Sequence, residues 1–111
     1  MAHVSTVKEY FDTLPARFVP TAAKGLNAIF QFELSGEGGG TYHVTVTDGT
    51  MHVEEGPVPT PSAVLKMSGE NYVKMANGEL NGAMAFMKGQ LKVTGNVMLA
   101  QKMQAIFPQG K

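Results

Sequence analysis

The chain of 111 residues contains no cysteine. That excludes a disulfide framework, a thiol nucleophile and any metal site built on thiolates. It also lacks an excess of either charge: nine Lys and Arg balance nine Asp and Glu. General nucleic-acid binders carry a large basic surplus, so no nucleic-acid partner is expected. No apolar run approaches the roughly 20 residues of a membrane span. The opening stretch MAHVSTVKEY has no apolar signal-peptide core, and the final Gln109, Gly110 and Lys111 are not a peroxisomal address. There are no internal repeats and no low-complexity segments. The expectation is a single cytoplasmic domain over residues 1–111, with room for one core and not for two.

Charge is balanced overall but not along the chain. Residues 1–61 hold three basic and seven acidic side chains, and residues 62–111 hold six basic and two acidic, giving −4 and +4. A basic C-terminal half favours transient contact with an anionic membrane surface, although surface lysines more often only solvate.

The stretch 81–107 is the part the rest of the chain is arranged around. It reads as a short helix, a strand over 91–94 and a longer helix over 97–107, with Asn81 and Asn96 at N-cap positions and Gly89 and Gly95 as breaks. Four of the eight methionines lie in it: Met84, Met87, Met98 and Met103. Methionine is flexible and polarizable, so such a surface suits either an irregular core or the wall of an adaptable apolar cavity.

Upstream, Ser5 or Thr6 caps a first helix whose Val7, Tyr10, Phe11 and Leu14 share one face. Pro15 lies inside that pattern and should kink the helix, or end it and start another. Three strands follow. Asn27–Ser35 alternates, with Ala28, Phe30, Phe32 and Leu34 on one face and Gln31 and Glu33 on the other. The glycine-rich run 36–40 turns the chain into 41–47, and Asp48-Gly49 turns it into Thr50–Glu55. Across that hairpin Tyr42, Val44, Val46, Met51 and Val53 make an apolar face. His43, Thr45, His52 and Glu54 make a wet one.

Proline at 57, 59 and 61 forbids helix and strand, so 56–62 is an extended crossover. It is long enough to pass two strands and lay a fourth, 63–68, on the far side of the first. Glu33 and Lys66 then face each other across neighbouring strands. Ser68 caps a further helix over 69–77, stopped by Gly78. Five strands with one apolar face require a layer of helices on that face, which is an α+β domain.

His43, His52 and Glu54 are the one constellation with catalytic or metal-binding chemistry. They sit on an open threonine-rich face with nothing to form a cleft, so a solvated surface is the expected reading. No catalytic residue, metal ligand or cofactor is assigned, and no enzymatic activity is expected.

Nearly the whole chain resembles the sterol carrier protein type 2 family of small lipid-transfer domains. The matching stretches are Phe32-Glu33-Leu34-Ser35-Gly36 and Asp48-Gly49 with the Val53-Glu54-Glu55-Gly56 strand end. Leu65-Lys66-Met67-Ser68, Asn77-Gly78-Glu79-Leu80 and the run from Ala85 to Asn96 ahead of an amphipathic helix complete them. Gln90 stands where the family often has lysine, and the missing peroxisomal address suggests a bacterial-type, stand-alone member.

The resemblance implies the order helix, three antiparallel strands, crossover, strand, helices, strand, helix. The helices cover one sheet face above an apolar tunnel. It implies non-catalytic binding and transfer of sterol-like molecules, fatty acids, fatty acyl-CoA or phospholipid, or, alternatively, a docking module that assists a lipid-metabolising enzyme. With that fold, the residues expected to line the tunnel are Phe30, Phe32, Leu34, Leu65 and Met67 from the sheet, with Val93 from its last strand. Tyr72, Met75, Met84 and Met87 join them from the middle helices, and Met98, Leu99, Met103, Ile106 and Phe107 from the last.

Overall fold

Five strands form one mixed sheet in the order β3-β2-β1-β4-β5 in a computed structural model that describes residues 4–36 and 38–106. Glu37, Phe107 and Pro108, which figure in the expected loop and helix end, lie outside the described residues. The strands are β1 Asn27–Ser35, β2 Gly40–Thr47, β3 Thr50–Glu55, β4 Ala63–Ser68 and β5 Lys92–Gly95. The helices are α1 Val7–Arg17, α2 Gly69–Ala76, α3 Gly82–Met87 and α4 Val97–Ile106, with one 3₁₀ turn at Pro20–Ala23.

The Asp48-Gly49 turn sets the register expected from it: Thr47 pairs with Thr50, Val46 with Met51 and Val44 with Val53. β1 is antiparallel to β2 and parallel to β4, and β5 closes the far edge antiparallel to β4.

Local chemistry accounts for the helix ends. The Thr6 hydroxyl accepts from the Glu9 N–H at 3.0 Å, while the Glu9 carboxylate reaches back to the Ser5 N–H at 2.7 Å. Ser68 caps α2 by accepting from the Asn71 N–H. Past α2, the Gly78 N–H donates to Met75 O and the Glu79 N–H to Lys74 O, a Schellman stop with Gly78 at φ 79°. α3 ends the same way, with Gly89 bonded to Phe86 O and Gln90 to Ala85 O. Of the two outcomes expected at Pro15, the structure excludes the end of the helix there. α1 runs through Pro15 to Arg17, because in the last turn the proline costs only one intrahelical bond. No second α-helix starts there.

The core lies between the sheet's apolar face and the helices. Tyr10, Phe11, Phe32, Tyr42 and Tyr72 pack ring against ring, with Phe11 stacked on Tyr42 at 4.2 Å and edge-on to Phe32 at 5.2 Å. Arg17 is buried, with its guanidinium carbon 5.4 Å from the Tyr10 ring centre. Asn77 grips the chain ahead of α1 with both amide atoms: Oδ1 accepts from the Val4 N–H and Nδ2 donates to Val4 O, each at 2.8 Å.

The opposite face is less open than its composition implies. The crossover lies across it, where Gln31 Oε1 accepts from the Val58 N–H at 2.9 Å and Gln31 Nε2 donates to Glu33. Ser62 bonds Ile29 through both its N–H and its hydroxyl. His43 is therefore buried, not solvated, with Nδ1 donating to Gly56 O at 2.8 Å and Nε2 3.4 Å from Glu54. His52 remains exposed, 3.0 Å from Glu54, and its hydrogen bond holds that carboxyl below the ordinary range. Glu33 and Lys66 meet at 3.6 Å in the expected register.

Two outcomes check this account. Gly95 has φ 86°, and an added Cβ would lie 2.6 Å from Ser62 O, whereas Gly89 at φ 79° faces open space. Gly95→Ala should cost more than about 2 kcal/mol in urea unfolding and Gly89→Ala about 1 kcal/mol, since only the first adds a backbone clash to the left-handed strain. The second outcome concerns Tyr72, whose phenol is held well above its ordinary value of 10.0, by burial first and by Tyr10 beside it. The unfolded chain ionises near pH 10 while the folded tyrosine stays neutral. Its contribution is therefore complete below that pH and is lost as pH rises above it. Unfolding measured from pH 8 to 11 should show the decline, and Tyr72→Phe should flatten it.

Candidate functional site

A cavity of about 440 Å³ opens over the β4–β5 side of the sheet. Its floor is the cross-strand pair Leu65 and Val93, directly opposite each other in the β4–β5 register. Tyr72 and Met75, one turn apart on α2, form one wall. Gly82, Ala83, Phe86 and Met87 of α3 form the cover, and Leu91 follows from the turn after it. Val97, Gln101 and Met103 of α4 form the remaining wall.

Among the described residues no charged side chain lines this space, and the polar side chains there are the Tyr72 phenol and the Gln101 amide. Burying a charge without a partner is costly, so the cavity suits an apolar body and leaves an ionic group to the mouth. Gln101 is exposed where it borders the cavity, which makes it a polar contact at the entrance.

The cover is weakly held. α1 buries five side chains, including Tyr10, Phe11 and Leu14, whereas α3 buries Ala85 alone. Asn81 starts it by accepting from the Ala83 and Met84 N–H groups, and Gly89 stops it at φ 79°. An element with one small buried anchor belongs to the low-stability part of a fold.

The structure brings together six of the residues expected to line a tunnel: Leu65, Tyr72, Met75, Met87, Val93 and Met103. Phe30, Phe32, Leu34, Met67 and Ile106 are instead buried in the core, and over Phe32 this is because α1 and α2 bring the Phe11 and Tyr72 rings onto β1. Met84 and Met98 are exposed on the outer surface, and Leu99 is half-buried against the core. Phe107 lies outside the described residues.

Sequence reasoning missed Gly82, Ala83, Phe86, Leu91, Val97 and Gln101 as lining. The pair Gly82-Ala83 carried a signal: two residues too small to fill the space beneath a helix. Nothing in the sequence distinguished it from an ordinary helix start.

A second groove of about 480 Å³ lies near the β1, β2 and β4 ends and includes Glu33, Thr41, Lys66, Gln90 and Lys92. Lys92 borders this groove and its β5 neighbour Val93 floors the cavity, so the two spaces draw on opposite sides of the same edge strand. Leu34 and Met67 border this groove. Among the described residues no three His, Cys, Asp or Glu side chains are grouped to hold a metal ion.

Comparison with known proteins places this architecture. The chain is 35% identical over 108 residues to hydroxysteroid dehydrogenase-like protein 2 of Mus musculus, an alignment covering 96% of this chain and 22% of that protein. It therefore spans about a fifth of that relative's length.

Among solved structures, palmitated SCP2L2 from Aedes aegypti superposes with a TM-score of 0.77 at 17% identity, covering 96% of this chain and 97% of that one. A stereoselective inverting sec-alkylsulfatase from Pseudomonas sp. superposes with a TM-score of 0.78 at 18% identity, covering 96% of this chain and 17% of that one. At those identities the likeness is one of fold. The model of the SCP-2 sterol transfer family matches residues 11–108, and the chain belongs to that family.

Proposed function

We propose that this chain is a non-catalytic carrier that shelters a lipid in the cavity between its sheet and helices and passes it on. The observation that carries the reading is an apolar cavity of about 440 Å³, with no charged lining among the described residues, beneath a helix anchored by one buried alanine. That volume falls within the roughly 300–1,000 Å³ of small-molecule sites. Sheltering each methylene contributes about 0.8 kcal/mol, so a sixteen-carbon chain gains on the order of 12 kcal/mol from an apolar environment. Apolar walls discriminate among methylenes by only about 1–3 kcal/mol, which favours a range of ligands. Sterol-like molecules, fatty acids, fatty acyl-CoA and phospholipid all fit that chemistry, their polar ends lying near Gln101 at the mouth of what then serves as a tunnel.

Entry and release proceed by displacement of α3, whose two glycine-bounded ends let it move as a unit. Absence of cysteine suits a reducing compartment, and we place the carrier in the cytoplasm, exchanging cargo with anionic membranes.

A second reading has one observation in its favour. The chain matches only 22% of a relative named for dehydrogenases, which fits a module that docks beside a lipid-metabolising enzyme and aids it.

Ala83→Trp decides between them. Ala83 is exposed yet lines the cavity, so an indole there occupies ligand space without overpacking the core. Binding of a fluorescent fatty acid should weaken tenfold or more, about 1.4 kcal/mol, with the melting temperature nearly unchanged. A parent protein that binds no fatty acid, and yields no lipid on organic extraction and mass spectrometry, would leave the docking module as the reading. Hydrogen exchange supplies a further check: amides of 82–87 should exchange faster than those of β1 and slow when fatty acid is added.

A further inference from the structure

Large apolar side chains that stay exposed among the described residues are confined to α3 and the first turn of α4: Met84, Phe86, Met87, Val97 and Met98. Met87 is 83% exposed and Met98 72%. Phe86, Met87 and Val97 are cavity lining and outer surface at once, so the patch is continuous with the cavity wall. A soluble domain rarely exposes such a patch unless something covers it.

The charges nearby indicate what does. Lys88 follows Met84 and Lys102 follows Met98 by four residues, so each methionine shares a helix face with an exposed lysine. From residue 80 to residue 106 the chain carries three lysines and no acidic side chain. Apolar tips flanked by long ammonium side chains match the boundary between acyl chains and anionic headgroups. There the tips enter and the ammonium groups stay at the phosphates.

We infer that the α3–α4 face docks on an anionic bilayer, with the cavity mouth held against the headgroups. The inference rests on the carrier reading and adds its geometry. Met84, Met98, Lys88 and Lys102 seat the protein, and α3, the cover, is itself part of the contact. A ligand then passes between bilayer and cavity along a continuous apolar path and never crosses water.

Co-sedimentation with phosphatidylcholine vesicles, with and without phosphatidylserine, tests the face. Partitioning should require phosphatidylserine and weaken as salt is raised. It should fall at least about tenfold in the double variant Lys88→Gln, Lys102→Gln, since each lysine near such a surface contributes roughly fivefold. Met98→Asp should lower it comparably. Thr60→Asp, on the exposed crossover, matches the net-charge change of Met98→Asp and should leave it unchanged. Solution binding of a fluorescent fatty acid should be unaltered in all of these, because none of the substituted residues lines the cavity.

Fatty-acid binding without vesicle partitioning overturns the docking face while the carrier reading stands. Partitioning that ignores both phosphatidylserine and the α3–α4 substitutions does the same. Binding to another protein that these variants abolish, with no vesicle binding by the parent, assigns the face to a protein partner and also overturns it. Vesicle partitioning by a protein that binds no fatty acid supports the face and removes the carrier reading instead.

Discussion

Parallel pairing of β4 with β1 is the constraint on which the rest of the molecule depends. Parallel strands need a long connection between them, and here the crossover after β3 supplies it without a helix. Its prolines keep it extended, and Gln31, Ser62 and His43 fasten it to the polar face of the sheet. With β4 outside β1, the first hairpin lies wholly to one side, and α1 and α2 close over the middle. The remaining apolar surface, Leu65 and Val93, is walled by α2 and α4 and roofed by the short α3. Empty space is left where the covering layer is thinnest.

That geometry gives the sheet a closely packed half and a thinly covered half. Over β1 the aromatic rings of Tyr10, Phe11, Phe32 and Tyr72 interlock at centroid distances near 5 Å, and native packing density leaves little room there. Over β4 and β5 the covering residues are glycine, alanine and methionine, together with one phenylalanine that is half exposed. Methionine adapts its shape to its neighbours, and α3 is anchored through Ala85 without a ring in the aromatic core. Close packing and empty space are thereby assigned to different parts of one sheet.

Polar chemistry is kept out of the cavity and placed on the far face. His43, which composition alone set on an open surface, is enclosed by the crossover and bonded to Gly56 O. Among the described residues the cavity's polar side chains are the Tyr72 phenol and the Gln101 amide. Shape and apolar area are what such a site has to work with.

Much of the fold was legible in the order of the residues. Alternation over Asn27–Ser35, the Asp48-Gly49 turn and the proline spacing at 57, 59 and 61 defined three strands, the register of the second against the third and the far-side placement of the fourth. These are local signals, carried by the backbone preferences of glycine and proline and by the two-residue period of a strand. The paired glycine stops at Gly78 and Gly89 were legible for the same reason.

The site was legible only by half. Periodicity tells which face of a helix is apolar, but not how closely that face approaches the sheet. Phe30 and Phe32 share the apolar face with Leu65, yet they are sealed beneath α1 and α2 while Leu65 floors a cavity. Met84 and Met87 belong to one helix, yet only Met87 reaches the lining. Sequence by itself determined the elements, their order and the hydrophobicity of the enclosed face. Tertiary structure decided which apolar residues meet one another and which meet empty space, because that depends on the distance between layers, a sum over many packing contacts that no local pattern encodes.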